Sequence, residues 1–172
     1  MSTDELLALA TITAEIKPSA VFEFGTFDGR TTLHFAINSP PAAKIFTLDI
    51  AADQIDLGPN AEFMDATLVG ERVKKTQYSS KVTFITADSA KYDFSRFSNS
   101  IDLIFVDGDH SFDGVMRDSM HAYDMLRNDG IVIWHDYLLL ADVTNALNSL
   151  RSQFSLTRIE NTTLVLGTKL SK

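Results

Sequence analysis

Acidic, hydroxyl and imidazole side chains gather at five places in this chain, and each place directly follows an apolar run. The first is V-F-E-F-G-T-F-D-G-R-T-T-L-H, residues 21–34. It begins as an apolar segment of strand type, breaks at Gly25, passes on to Gly29, and continues with Thr31, Thr32, Leu33 and Phe35 as a helix does. A strand, a tight loop and a helix N-terminus in that order make a cradle. A glycine at the strand end lets the backbone turn sharply and lets a ligand approach the main chain. Glycine spacing narrows the ligand. A dinucleotide loop needs a second glycine where this chain has Phe27, and a P-loop needs a Gly-Lys-Ser/Thr that is absent. A phosphate-free nucleoside fits the spacing; an ordinary strand-to-helix turn fits it too.

The other four places are strand ends. Asp49 lies 20 residues beyond Gly29, the position from which a carboxylate accepts hydrogen bonds from two ribose hydroxyls. A solvated strand-end carboxylate is the alternative. Asp88 and Ser89 offer an acid and a hydroxyl to an adenine amino group, or they cap the following turn. Asp107-Gly108-Asp109-His110 and His135-Asp136 end the fourth and fifth apolar runs, where such residues also cap the helices that follow.

The elements that must position these groups are legible from periodicity. Residues 3–16 read as a helix with Thr3 as N-cap, Asp4 and Glu5 in its first turn, and Pro18 to end it. Ser39-Pro40-Pro41 breaks the chain before a second strand at residues 45–48. Within residues 51–80, Leu57-Gly58-Pro59-Asn60 is a turn, residues 71–75 close a helix, and the whole connection is either a lid or a long crossover. Strands follow at residues 82–86, 101–106 and 131–134. The fourth is nearly all apolar, as a strand buried on both faces is. Between the last two, Phe112, Val115, Ser119, Ala122 and Leu126 mark one helix face, ending at Asn128-Asp129-Gly130. A helix carrying Leu140, Val143, Leu147 and Leu150 comes next, then a hairpin of residues 154–159 and 163–166 around Glu160-Asn161-Thr162. The expectation is one α/β domain over residues 1–172, a doubly wound, Rossmann-like, mostly parallel sheet of seven strands with a C-terminal antiparallel hairpin.

Composition bounds the function. The 172 residues suit one domain, with 45% hydrophobic and 22% charged residues, ordinary for a globular protein. With no cysteine, disulfides, thiolate metal sites and a cysteine nucleophile are all excluded. A net charge of -8 argues against a nucleic-acid surface. No apolar run approaches the ~20 residues of a membrane span, and M-S-T-D-E lacks the basic start of a signal peptide, so a cytoplasmic protein without a membrane partner is expected. His34 and His121 read as packed or solvated, and Trp134 as core beside the site.

The ordered motifs E-F-G-T-F-D-G, T-L-D, T-A-D-S, V-D-G-D-H-S-F and D-G-I-V-I-W-H-D-Y resemble class I S-adenosylmethionine-dependent methyltransferases. The match is to a bacterial methyltransferase-domain family related to the catechol and macrolide-sugar O-methyltransferases. It runs from about residue 20 to residue 137. The resemblance implies a cofactor site of Glu23, Gly25, Thr26, Phe27, Gly29, Asp49, Ile50, Asp88, Ser89 and Asp107. In it Glu23 supports the loop, Gly25 and Gly29 face the methionine portion, Asp49 takes the ribose, and Asp88 with Ser89 approaches adenine. It also implies a divalent cation on Asp107, His135 and Asp136. Two carboxylates suit Mg²⁺, and the imidazole shifts preference toward Mn²⁺, Fe²⁺ or Zn²⁺.

His110 stands where the catechol type has a proton-accepting lysine, so the resemblance implies His110 as base. Its unperturbed pKa of ~6.5 leaves an imidazole largely neutral near neutral pH, with Asp109 as orienting carboxylate. The bland alternative is that His110 only begins a helix. Two departures concern Phe27, in place of the commonest motif's central glycine, and a short N-terminal segment where larger relatives carry acceptor-binding elements. The expected activity is O-methylation of a small-molecule sugar or phenol hydroxyl. A metal-independent N- or O-methyltransferase and a non-catalytic cofactor-binding domain or partner subunit are the rivals, and a homo-oligomer is compatible with either.

Overall fold

A computed structural model describes residues 1–51 and 68–170. The turn expected at Leu57-Gly58-Pro59-Asn60 lies outside the described residues. Helix α1 spans Thr3–Ile16, and its N-cap is Ser2 rather than Thr3. The Ser2 hydroxyl accepts from the Glu5 N–H while the Glu5 carboxylate accepts from the Ser2 N–H, a reciprocal capping box that places the cap one residue earlier. Strand β1 (Ala20–Phe24), helix α2 (Arg30–Asn38), strand β2 (Lys44–Asp49), the short helix α3 (Glu71–Lys74) and strand β3 (Val82–Thr86) follow. Strand β4 (Ile101–Val106), helix α4 (Phe112–Met125), strand β5 (Leu126–Trp134), helix α5 (Ala141–Ser149) and the hairpin β6 (Phe154–Arg158) and β7 (Val165–Lys169) complete the chain.

Seven strands form one sheet in the order β3-β2-β1-β4-β5-β7-β6. The first five are parallel, and the hairpin adds two antiparallel strands beside β5. Strand order reverses at β1 and β4, so the crevice beyond their carboxyl ends is where such a sheet takes a ligand. Alternation along the strands divides the core in two. Val21, Ile45, Leu103, Phe105 and Ile133 pack with Leu9 of α1 and Phe35 of α2 on one face. Phe22, Phe24, Ile104, Val106, Val132 and Trp134 pack with Val115 of α4 and Val143 of α5 on the other. Odd-numbered residues of β1, β4 and β5 therefore face α1 and α2.

Two boundaries differ from expectation. Strand β5 begins at Leu126 because Asn128-Asp129-Gly130 forms an irregularity inside it: Ile101 pairs with Leu126, but Leu103 pairs with Ile131. Strand β7 begins at Val165 rather than Thr163, because the Thr163 N–H and hydroxyl both donate to the Glu5 carboxylate. Those groups are then not free for a strand ladder. No helix among the described residues is long and apolar enough to cross a membrane.

Candidate active site

The turn after β1 is built so that only glycine fits. Gly25 has φ +90°, and a Cβ there would lie 2.1 Å from the Asp107 carbonyl oxygen. The Asp107 N–H in turn donates to the Phe24 carbonyl at 2.9 Å, which locks the ends of β1 and β4 together. Gly29 has φ +83°, and a Cβ there would sit 2.8 Å from Gly70 Cα and 3.1 Å from a Val73 methyl. The space a side chain would take at Gly29 is thus filled by the segment leading into α3. The Gly70 N–H donates to the Phe27 carbonyl at 2.8 Å, and Arg72 Nε pairs with Asp28 at 2.6 Å, so this segment is fastened onto the loop.

Asp49 closes the loop from the other side. Its Oδ2 accepts from the Thr26 N–H at 3.0 Å and the Phe27 N–H at 2.8 Å. Burial raises its pKa against the pull of the amides of Phe27, Thr26 and Ile50. Phe27, at φ 45°, leaves its ring exposed at the rim. Beneath the loop Glu23 is fully buried, with Oε2 accepting from the Thr32 and Thr47 hydroxyls while Thr47 also bonds Thr26. Its Oε1 has no hydrogen-bond partner, and burial pushes its pKa up to about 8, with the nearby Asp107 and Asp49 adding to the rise.

At the end of β3 the Asp88 carboxylate caps its own turn, accepting from the Ala90 N–H at 2.9 Å and pairing with Lys91 at 3.1 Å. Ser89 Oγ accepts from Arg117 Nε at 3.4 Å. Behind them lies a residue that the sequence reading passed over. Asp118 of α4 is 2% exposed, its Oδ1 faces Arg117 Nε at 3.5 Å, and burial raises its pKa to about 6 against the pull of Ser89 and Arg117. Its position on the buried face of α4 is the signal that could have found it, since an acid there calls for a reason.

The ends of β4 and β5 converge. Asp107, His110 and Asp136 each offer one ligand atom, all within 4.8 Å of one another. His110 Nε2 lies 3.0 Å from Asp136 Oδ2 and 3.5 Å from Asp107 Oδ1. His135 stands behind this group. Its Nδ1 is 3.0 Å from Asp107 Oδ1 and 3.1 Å from Asp136 Oδ1, and its Nε2 is 3.4 Å from Glu5 Oε2. The cause is strand parity: His135 follows Ile133 onto the α1 face, whereas Asp136, at φ 63°, swings the chain back over the strand end. Both imidazoles therefore stand beside the two aspartates, His135 on the α1 side and His110 on the other. Asp109 does not orient His110; its Oδ1 accepts from the Ser111 N–H two residues on, at 2.9 Å, and its Oδ2 faces Arg117.

Charge in the cluster is strongly coupled. Hydrogen bonds to Asp107 and Asp136 raise His110 to about 9 against the effect of burial. Burial would lower His135, but the same two carboxylates lift it to about 10. Burial would raise Asp107 and Asp136, and the two histidines outweigh it and hold both below the ordinary carboxylate range. These hydrogen bonds favour the protonated imidazole of His110 near neutral pH, where an unperturbed ring is largely neutral. His34 and His121 lie apart, one bonded to the Arg30 carbonyl and the other stacked on Phe94 with centroids 4.4 Å apart. Trp134 is core, its Nε1 donating to Ser119 Oγ at 2.8 Å.

The fold recurs in solved structures. The SAH-bound Podospora anserina methyltransferase PaMTH1 matches with a TM-score of 0.77 at 15% identity, over 99% of this chain and 80% of that one. The O-methyltransferase TomG from Streptomyces achromogenes, in complex with SAM, matches at 0.76 and 14%, over 99% and 82%. The O-methyltransferase from Bacillus cereus, in complex with SAH, matches at 0.73 and 13%, over 98% and 82%. No curated protein matches by sequence. A family model for a methyltransferase domain matches residues 22–137, from the third residue of β1 through the tyrosine that follows Asp136, and the chain therefore belongs to the methyltransferase-domain family.

Proposed function

We propose that this chain is an S-adenosylmethionine-dependent methyltransferase that moves a methyl group to a hydroxyl oxygen of a small molecule beside Asp107, His110 and Asp136. The observation that carries this reading is the meeting of those three ligand atoms within 4.8 Å, at the carboxyl edge of the sheet and against the Gly25 turn. The cofactor fits the residues present. Phe27 stands where a pyrophosphate would need glycine, Asp49 is half-buried at the end of β2, and Glu23 keeps a buried oxygen without a partner under the loop.

When bound, S-adenosylmethionine supplies a sulfonium-activated methyl, whose C–S bond breaks as the C–O bond forms, releasing S-adenosylhomocysteine and the acceptor's proton. The protein's part is alignment, exclusion of water and proton removal. Asp49 would accept from the ribose hydroxyls while Thr26 and Phe27 hold it by their amides. Ser89 would approach adenine, since Asp88 is already committed to its turn. Asp107, His110 and Asp136 would hold a divalent cation, and two carboxylates with one imidazole suit Mn²⁺ or Mg²⁺. Such an ion supplies positive charge that lowers the pKa of an acceptor hydroxyl. A metal-free version has its own support: His135 already sets an imidazole N–H between the two aspartates. In that version His110 takes the proton once it has lost its own.

Calorimetry with S-adenosylhomocysteine, followed by transfer of labelled methyl to catechols, phenols and sugars with Mg²⁺, Mn²⁺ or EDTA, tests the reading. Binding and a methyl ether product are expected. Turnover unchanged by EDTA selects the metal-free version. Binding without turnover across the panel selects a non-catalytic nucleoside-binding domain, and no binding at all removes the proposal.

A further inference from the structure

We propose that Glu5, on the N-terminal helix, is a positioning residue of the active site, holding His135 and through it the carboxylates of Asp107 and Asp136. The inference rests on the site proposed above, but it is drawn from contacts that need no ligand. Glu5 is 5% exposed, and its carboxylate reaches beyond its own helix cap to the hairpin and to His135. Oε1 accepts from the Thr163 N–H at 3.0 Å and the Thr163 hydroxyl at 2.7 Å. Oε2 accepts from the Ser2 N–H at 2.6 Å and faces His135 Nε2 at 3.4 Å. The other ring nitrogen lies between Asp107 Oδ1 and Asp136 Oδ1.

A planar ring with a carboxylate at each end has little freedom to rotate or flip. It turns one face of each aspartate toward the protein and leaves Asp136 Oδ2 free to meet His110 at 3.0 Å. Residues that orient first-contact groups in this way are worth 10- to 100-fold in metal affinity or activity when removed. The capping box alone would explain Glu5 at the helix start. It explains neither the bonds to Thr163 nor the approach to His135, 130 residues away.

Glu5→Gln and Thr163→Val test this with two readouts. The first is the ring N–H signals of His135 in histidine-labelled protein, recorded without substrate; the second is kcat against KM for the cofactor. Glu5→Gln should move or abolish the Nε2–H signal and lower kcat about 10- to 100-fold, with KM near wild type. Thr163→Val keeps the capping box and should shift the same signal by less. A lower melting temperature with His135 signals and kcat unchanged would reduce Glu5 to a helix cap and overturn the proposal. Should Glu5→Gln fail to fold, an unmoved signal in Thr163→Val overturns it equally. A signal that responds in a protein with no methyl transfer would sink the proposed function and leave the role of Glu5 standing.

Discussion

The two edges of the sheet differ in a way that volume alone would misread. At the amino ends of the parallel strands lies a hollow of about 940 Å³, bordered by Tyr92, Phe94, His121, Tyr123 and Lys169 among others. At the carboxyl ends the space among Asp107, His110 and His135 is about 10 Å³. Yet the large hollow holds groups that already answer one another: Lys169 donates to the Leu126 carbonyl at 2.6 Å and sits over the Tyr123 ring, and His121 stacks on Phe94. The small space holds convergent acids and imidazoles, with Asp136 at positive φ beside it and Glu23 Oε1 buried without a partner nearby. Convergence of charge and stored strain mark a site better than room does.

The comparison breaks first at Asp136. Asp136→Ala removes a partner of both histidines, and kcat for methyl transfer should fall about 10³-fold while S-adenosylhomocysteine still binds; a rate within tenfold of wild type would move the chemistry elsewhere. His110→Ala should cost ~100-fold in kcat, again with cofactor affinity nearly unchanged. Its pH profile sharpens the point. In EDTA the wild-type rate should climb from pH 7 and level off above about 9, where His110 loses its proton, and the variant should lack that limb. A flat wild-type profile would remove His110 as base.

Gly29→Val probes the same edge through stability. A β-branched residue at φ +83° meets Gly70 and Val73, so unfolding in urea should show a loss of roughly 2–4 kcal/mol from strain and overpacking together. A variant as stable as wild type that has merely lost cofactor affinity would restore the idea of a glycine kept for ligand access. The smallest effect belongs to the other edge. His121→Ala should leave kcat within about twofold, because His121 bonds to the Ser89 backbone and not to Asp107, His110 or Asp136; a tenfold loss would make that hollow part of the machinery.

Strand positions were legible because β1, β4 and residues 131–134 of β5 are largely apolar, as strands buried on both faces are, and loop chemistry was legible because each run ends in residues a buried strand cannot hold. Asp49, Asp107 and Asp136 stand at such ends. Asp109 meets Ser111 and Arg117 rather than His110 because local turn chemistry claims its carboxylate. The mutual place of His110 and His135 needed the register of β4 on β5 and the backward swing at Asp136, neither of which has a one-dimensional signature. Glu5 looked complete as a capping residue. Its second task depends on a hairpin 158 residues away and on α1 lying against the odd-numbered face of the sheet.

By itself, then, the order of apolar runs and polar ends determined the sheet, its parallel sense and the edge where the polar ends gather, since burial and periodicity are local properties of a chain. Which side chain meets which at that edge was decided only by tertiary packing. A hydrogen bond or ligand set is a matter of a few tenths of an ångström between segments far apart in sequence, and only the packed sheet sets those distances.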